Sequence, residues 1–333
     1  MDAKRGSTAG ATLGEALRKN KKPVDWRFPD ESGLSERTLD CRQLAVKEVL
    51  RWKGADELIP VFLTPFDSTG HGLLLRRSEP RLQRGWGLET CHPEFPEEME
   101  GLLRSVFDRE GYALLFYKAF DMPFSAYYGI HDVIHWSLVT DFDETHITLL
   151  DSAGAPSYFD GMTGRIPSGL FFEAWTDRQP VTSGAAFVTG AAPPFERNWE
   201  DEFAGIVRQS VTNMGTDERL EQFIREFETA PLGDLTAHLD QLEFDLHYYR
   251  RLRELWLLAA LRGAVPARYL KPAWVEELTY VCRCWSLVLG VLMKWKRQPD
   301  RDYREKVLAY LRQTLDNETS FFEALAEMAG EEE

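Results

Sequence analysis

The sequence predicts an α+β fold in which a helix packs on a small antiparallel sheet, with an all-α region after it. Three patterns predict this. Apolar residues recur at helical spacing from Asp40 to Trp52, two short apolar runs flank an acidic turn within residues 130–152, and helical periodicity dominates beyond residue 194. An amphipathic helix and a hairpin each have one apolar face to bury, so we expect them to pack on each other.

Composition and charge restrict the class of protein. The 333 residues are 44% hydrophobic and carry a formal net charge of −15, which is enough apolar material for two domains but too acidic for a general nucleic-acid binder. The first residues lack the apolar core of a secretory signal, and the longest uncharged apolar run, Cys284–Met293, is far shorter than the roughly 20 residues that span a bilayer. We therefore expect a cytoplasmic protein without a membrane segment.

Three regions are predicted along the chain. Residues 1–25 hold few large apolar residues and several lysines and arginines, which indicates a mobile basic arm. Residues 26–192 mix helix and strand patterns and form the predicted α+β domain. Prolines at positions 193 and 194 mark its boundary with a helical domain, residues 193–333.

The predicted helix from Asp40 to Trp52 carries Cys41 in its first turn. Cys41, Ala45 and Val49 lie on one face, and Asp40 is a suitable N-cap. The unpaired N–H groups at a helix N-terminus carry a partial positive charge that stabilises a thiolate. This position suits a reactive cysteine, although a lone helical cysteine is more often a small buried hydrophobe.

The rest of the α+β domain alternates between helix and strand patterns. Apolar residues at helical spacing predict a helix at 96–109, which Gly111 ends. The other predicted elements are a strand at 112–117, hairpin strands at 136–139 and 147–150 around an acidic turn at 141–144, a helix at 168–177 and a strand at 185–189. The predicted order is helix, helix, strand, hairpin, helix, strand.

The helical domain is predicted to be a bundle. Residues 235–261 form one long helix, because apolar residues alternate spacings of four and three there. These residues are Leu235, Leu239, Leu242, Leu246 and Tyr249. Further helices are predicted at 199–211, 217–227, 272–295 and 301–327.

An arginine cluster, Arg76, Arg77, Arg81 and Arg84, interrupts the acidic chain with only Glu79 to balance it. Such a run is usually a solvated surface. In a protein of this net charge it is also one of few places that can hold a phosphate or an acidic partner.

Cysteine, histidine and aspartate occur in an order that predicts a catalytic triad. The hairpin places His135 at the entry of one strand and Asp151 at the exit of the next, so that both lie at the same end. A carboxylate beside an imidazole fixes its tautomer and favours the imidazolium. Cys41 is the nucleophile that this base would activate, and its acyl thioester would pass to an amine, a hydroxyl or water.

Each of these residues also has a structural interpretation. His135 could pack at a strand end, and Asp151 could belong to a plain turn. His131 and His135 are spaced like a metal pair, but they flank a strand and no third ligand joins them. Cys282 and Cys284 lie in an apolar helical stretch without a second ligand pair, so we expect free thiols there and no zinc.

Four segments together carry a family resemblance. Cys41 at the start of a helix, Gly111–Tyr117, His135–Asp143 and Ile147–Ser152 resemble the papain-like cysteine fold of bacterial double-glycine leader peptidases and their relatives. Within that group the chain most resembles the butirosin-biosynthesis protein H acyltransferase family, whose members join a papain-like half to a helical C-terminal half. The likeness covers about residues 36–190, and the helical remainder more loosely.

The resemblance implies a papain-like cysteine-protease fold for residues 26–192, with Cys41 as nucleophile, His135 as base and Asp151 as orienting carboxylate. It also implies transfer of an acyl or aminoacyl group to a small amine, in secondary-metabolite biosynthesis. The donor would be the phosphopantetheine arm of an acyl or peptidyl carrier protein, and no resident cofactor is needed. The arginine cluster is the candidate site for the phosphate of that arm or for the acidic carrier.

One departure from the papain-like pattern bears on the reaction. Papain-like enzymes commonly place a glutamine before the cysteine to bind the oxyanion, whereas Ser35 stands six residues before Cys41 here. Backbone N–H groups at the helix start would have to serve instead, with Gln43 as a candidate side chain. An activated thioester needs less of this help than a peptide bond, which favours acyl transfer. A cysteine peptidase, amidase or thioesterase, and a non-catalytic binding protein, remain the alternatives.

Overall fold

The computed structural model describes residues 24–66, 69–71, 73–76, 87–178, 182–189, 199–214 and 218–330. In these ranges the chain is a mixed α and β protein with nine α-helices and a seven-stranded antiparallel sheet. The predicted combination of helices with antiparallel strands is confirmed. All but the last two residues of the basic arm predicted at 1–25 lie outside the described residues.

Helices and strands are mixed up to residue 189, and the described elements after it are all helices. The helices are α1 (Cys41–Trp52), α2 (Ile59–Phe62), α3 (Met99–Glu110), α4 (Ser168–Arg178), α5 (Trp199–Met214), α6 (Glu218–Thr229), α7 (Leu232–Leu261), α8 (Pro272–Arg297) and α9 (Arg304–Gly330). The strands are β1 (Thr69–His71), β2 (Leu74–Arg76), β3 (Gly87–Cys91), β4 (Ala113–Lys118), β5 (Ile134–Phe142), β6 (His146–Leu150), β7 (Phe159–Asp160), β8 (Thr163–Pro167) and β9 (Gly184–Thr189). Short 3-10 helices lie at Pro96–Glu98, Ala119–Asp121 and Ala267–Tyr269.

The chain divides into two compact units. The first contains Met1–Leu58 and Leu82–Pro193, and the second contains Ile59–Arg81 and Pro194–Glu333. The sequence-based division assigned residues 59–81 to the α+β domain, whereas this segment groups with the helices.

The seven-stranded sheet belongs to the first unit. Its strand order is β3-β9-β4-β5-β6-β8-β7, and neighbouring strands are antiparallel. The predicted hairpin is present as β5 and β6, with longer strands than predicted and a register shift between Val139 and Asp141. Strands β3 and β8 were not predicted, because Gly, Thr and Arg interrupt the apolar alternation that marks a strand.

Helix α1 begins at Cys41, as predicted, with Asp40 as its N-cap. The Oδ1 atom of Asp40 accepts a hydrogen bond from the Gln43 N–H at 2.8 Å, and Oε1 of Gln43 accepts one from the Asp40 N–H at 3.0 Å. This reciprocal pair is a capping box, which satisfies two N–H groups that the start of a helix leaves exposed. Leu44 and Val49 of the same helix are fully buried, and α1 packs against β5.

Aromatic packing explains why the segment after Leu58 belongs to the second unit. The ring of Phe66 lies 4.9 Å from that of Trp256 on α7 and 4.6 Å from that of Phe322 on α9. The Trp256 indole N–H also donates a hydrogen bond to the Thr64 carbonyl at 3.0 Å. Thr64 and Trp256 are 192 positions apart in the chain, and Phe322 lies farther still, so no local pattern indicates these contacts.

The long helices of the second unit were predicted from their apolar spacing. The five α7 residues with alternating spacing, Leu235, Leu239, Leu242, Leu246 and Tyr249, are all buried. They join one apolar cluster with side chains of α6, α8 and α9. None of the helices in the described part of the chain combines the length and apolarity that a bilayer crossing requires.

Candidate active site

Cys41 occupies the first residue of α1 and is partly exposed to solvent. The capping box uses the Gln43 N–H, and the Leu44 N–H donates to the Asp40 carbonyl, as at a regular helix start. The thiol therefore lies where the N–H groups of the first turn concentrate partial positive charge. This is the environment that the sequence predicted for a reactive cysteine.

Strand register brings His135 and Asp151 together. Within the β5–β6 pair, Leu138 lies opposite Leu150, so the next position along each strand sets Ser137 opposite Asp151. His135 and Ser137 project from the same face of β5, because side chains alternate along a strand. Asp151 consequently ends beside both side chains, although β6 itself stops one residue earlier.

The His135 imidazole and the Asp151 carboxylate form a close, buried pair. Nε2 of His135 lies 2.8 Å from Oδ1 and 2.9 Å from Oδ2 of Asp151. The two residues are only 3% and 1% exposed, so water competes little for this contact. Because Nε2 faces the carboxylate, Nδ1 is the nitrogen left for a nucleophile. In serine proteases of the Ser-His-Asp type the roles are exchanged, because Nδ1 contacts the aspartate and Nε2 contacts the serine.

Cys41 is the second partner of His135. Burial by itself would lower the pKa of His135, but the charges of Asp151 and Cys41, together with hydrogen bonds to both side chains, raise it well above its ordinary value. The folded protein therefore favours the imidazolium form of His135. The structure thus brings together the three side chains that the sequence predicted as a triad.

Two hydroxyl groups that the sequence analysis missed also contact Asp151. Its Oδ2 atom accepts hydrogen bonds from Oγ of Ser137 at 2.5 Å and from Oη of Tyr117 at 3.2 Å, and its Oδ1 accepts the Ala153 N–H at 2.6 Å. Burial would raise the pKa of Asp151, but the His135 imidazolium, the Ser137 hydroxyl and the Ala153 N–H lower it. Burial and the Asp151 charge raise the pKa of Tyr117, which keeps its hydroxyl protonated.

Tyrosine rings flank the imidazole of His135. Tyr117, which lies opposite His135 in the β4–β5 ladder, meets it edge-on with ring centroids 5.8 Å apart. Tyr127 meets it at 5.5 Å and is half-buried, so its ring separates the imidazole from solvent on that side. The loop that carries Tyr127 is fastened to the loop after Asp151, because the Ala126 N–H donates to the Ala153 carbonyl at 2.8 Å.

Gln43, the candidate oxyanion donor, takes part in the capping box of α1. Its side-chain carbonyl accepts the Asp40 N–H in the capping box, and the residue is buried. The side chain is therefore oriented toward the N-cap residue of its own helix. The geometry gives Gln43 a part in beginning α1, and its assignment to the oxyanion stays a prediction.

The arginine cluster is only partly described. Arg76 is the last residue of β2 and belongs to the second unit. Arg77, Arg81 and Arg84 lie outside the described residues. Binding of a carrier protein or of its phosphate by this cluster stays a prediction.

The other cysteines differ from Cys41 in their surroundings. Cys91 lies on β3, where burial raises the pKa of its thiol. Cys282 and Cys284 are buried on α8, and burial raises the pKa of the Cys284 thiol. In the described ranges, no group of three or more His, Cys, Asp or Glu residues is arranged to hold a metal ion.

Comparisons with known proteins add no relative. No family model matches this chain, and no curated protein matches it.

Chemically, the arrangement of Cys41, His135 and Asp151 can generate a thiolate, return a proton to a leaving group and hold an acyl group on sulfur.

Proposed function

We propose that this protein is a cysteine-dependent acyltransferase with a papain-like fold in residues 26–192. The observation that carries the proposal is His135, whose ring lies between the Asp151 carboxylate and the Cys41 side chain. The papain-like assignment is supported by a nucleophile at the start of a helix and by a histidine and an aspartate on neighbouring antiparallel strands.

The proposed reaction has two steps. His135 removes the thiol proton of Cys41, and the thiolate attacks the carbonyl carbon of a thioester. The bond to the donor sulfur breaks, the imidazolium protonates that leaving group, and Cys41 holds the acyl group. An amine then attacks the Cys41 thioester while His135 accepts its proton, which releases an amide and returns the proton to the Cys41 sulfur.

A thioester donor suits a site with little side-chain help for the oxyanion. The side-chain carbonyl of Gln43 accepts in the capping box, and we propose that backbone N–H groups at the start of α1 are the main oxyanion donors near Cys41. Removing one oxyanion donor from an enzyme costs about 3 kcal/mol of transition-state stabilisation, which an unactivated amide tolerates least. We propose the phosphopantetheine arm of a carrier protein as donor and a small amine as acceptor, in cytoplasmic secondary-metabolite biosynthesis.

Hydrolysis is the nearest alternative, because water could replace the amine in the second step. The two reactions share the acyl-Cys41 intermediate and differ only in the acceptor. A non-catalytic binding protein with the same fold would form no such intermediate.

The experiment is intact-protein mass spectrometry after incubation with an acyl thioester of N-acetylcysteamine, which mimics the end of a phosphopantetheine arm. We expect the mass of one acyl group on the wild type, none on Cys41→Ala, and wild-type labelling of the matched variant Cys91→Ala. Adding a panel of small amines should then release amide products faster than free acid forms. An adduct that persists in Cys41→Ala would overturn the assignment, and free acid as the sole product would establish the hydrolase.

A further inference from the structure

Two buried hydroxyl groups lie behind the His135–Asp151 pair. We propose that Tyr117 and Ser137 are positioning residues, which hold Asp151 ionised and aligned on Nε2 of His135 so that Nδ1 faces Cys41. The inference rests on the proposed function, since it assigns a role to residues that act through the triad.

The hydrogens of this network can be assigned to particular bonds. A carboxylate only accepts, so the Ser137 hydroxyl must give its single hydrogen to Oδ2 of Asp151, at 2.5 Å. The Tyr117 hydroxyl lies 2.8 Å from Oγ of Ser137 and 3.2 Å from Oδ2 of Asp151. Its hydrogen therefore points between these two oxygens, and it supports the carboxylate directly and through Ser137.

Each member of the network comes from a different part of the sheet. Tyr117 lies on β4, Ser137 lies on β5 with His135, and Asp151 follows β6. Three consecutive strands are thus joined at one point by side-chain hydrogen bonds. Because the strands are hydrogen-bonded to one another, this fixes the carboxylate relative to the imidazole within a rigid sheet.

Burial argues that these hydroxyls serve the carboxylate. Tyr117 and Ser137 are fully buried, and a buried hydroxyl is unfavourable unless it is hydrogen-bonded. Phenylalanine and alanine would fill similar space without that cost. The hydroxyls instead supply two of the four donor groups around Asp151, the others being the His135 ring and the Ala153 N–H.

Losing either hydroxyl should act on the pH dependence of Cys41. A carboxylate with fewer donors is protonated more easily, and a protonated Asp151 no longer favours the imidazolium. As pH is lowered, the alkylation rate of Cys41 should then fall at a higher pH than in the wild type. This loss of rate at low pH is the acid limb of the pH profile. A side chain that only fills space would change the stability of the fold without moving the acid limb.

The test is the rate constant for alkylation of Cys41 by iodoacetamide, measured as a function of pH. The variants are Tyr117→Phe and Ser137→Ala, the isosteric pair Ser137→Thr and Ser137→Val, and the control Tyr112→Phe. Tyr112 is another buried tyrosine, but its hydroxyl is hydrogen-bonded to the Val188 backbone and not to Asp151. Circular dichroism and thermal melting establish that each variant folds.

We expect the maximum rate constant to fall about tenfold in Tyr117→Phe, Ser137→Ala and Ser137→Val, and the acid limb to move up by about 0.5 to 1 pH unit, since hydrogen bonds to charged groups are among the stronger ones. Ser137→Thr should recover most of both changes, and Tyr112→Phe should resemble the wild type. The isosteric pair keeps the comparison valid if Ser137→Ala fails to fold.

The outcomes separate this inference from the proposed function. A wild-type Cys41 that reacts no faster than an ordinary thiol would remove the proposed function, and the inference with it. A fast wild type whose Tyr117→Phe and Ser137→Val variants keep its maximum rate and acid limb would overturn the inference alone. Slower variants with an unmoved acid limb, and no recovery in Ser137→Thr, would make the two residues structural and would also overturn it.

Discussion

The Asp151 carboxylate lies 2.8 Å from Nε2 of His135, although sixteen positions of chain separate the two residues. Antiparallel pairing of β5 with β6 produces this contact. Leu138 is paired with Leu150, and Asp151 is the next residue after that pair. The pair is therefore held in place by the pairing of two strands.

The variant Asp151→Asn tests the orienting carboxylate. An asparagine side chain at this position would keep the size of the aspartate but lose the charge that raises the pKa of His135. We expect acyl transfer and Cys41 alkylation to slow by about 10²- to 10⁴-fold, the contribution usual for general acid–base catalysis. Rates measured for Asp160→Asn, an exposed carboxylate on β7, should stay at the wild-type level.

Substitution of Gln43 distinguishes helix capping from oxyanion binding. Gln43→Ala should lower the free energy of unfolding by about 1 kcal/mol, because half of the capping box is lost, while the chemical rate stays within a few-fold of wild type. Gln43→Glu can rebuild the box and should recover stability. A fall in rate of about 10²-fold or more without loss of stability would instead return Gln43 to the oxyanion.

Stability should depend on pH through His135. The folded pKa of His135 lies well above its ordinary value of 6.5, so the imidazolium stabilises the fold below that pH, and this stabilisation is lost as pH rises through the folded pKa. Urea unfolding from about pH 6 to 9 should show the advantage of wild type over His135→Gln shrinking as pH rises.

His247 provides a control, because its pKa is shifted in the opposite direction from that of His135. Burial, with two nearby arginines, lowers its pKa to about 4. Its effect on stability therefore changes between about pH 4 and 6.5 and is flat above that window. If the difference between wild type and His135→Gln were also flat above about pH 6.5, the ion pair assigned to His135 would be wrong.

Breaking a buried ion pair should strongly destabilise the helical unit. Nε of Arg253 lies 2.6 Å from Oε1 of Glu318, the indole N–H of Trp285 donates to the same oxygen, and both charged side chains are at most 1% exposed. Glu318→Gln should lower the free energy of unfolding by about 3 to 5 kcal/mol, because it leaves the Arg253 charge buried and uncompensated.

The matched control for the buried pair is an ion pair exposed to solvent. Glu221 and Arg225 form an ion pair on the surface of α6, and Glu221→Gln should change the free energy of unfolding by less than about 0.5 kcal/mol. Chemical unfolding of both variants measures the difference. Equal effects would contradict the distinction between buried and exposed pairs.

The sequence predicted those parts of the site that local patterns encode. Cys41 at the start of a capped helix follows from apolar spacing and an adjacent aspartate. His135 and Asp151 at one end of a hairpin follow from two apolar runs around an acidic turn. Each of these features depends on fewer than about twenty-five residues of chain, which is the range over which periodicity is informative.

The supporting residues depend on pairings that periodicity does not specify. Tyr117 reaches Asp151 only through the β4–β5 register, and nothing within β4 itself reveals that register. Ser137 carried a usable signal, because it lies two positions after His135 on a strand and must share its face. The spacing of Gln43 from Asp40 also fits a capping box, which was not predicted.

The most direct measurement is the rate at which iodoacetamide alkylates each of the four cysteines near neutral pH, resolved by peptide mass spectrometry. Cys41 should react at least about tenfold faster than Cys91, Cys282 and Cys284, because its side chain is hydrogen-bonded to His135, while burial raises the pKa of the Cys91 and Cys284 thiols. His135→Ala should abolish that advantage. Equal rates at Cys41 and Cys91 in the wild type, or an unchanged Cys41 rate in His135→Ala, would contradict an active thiol at this site.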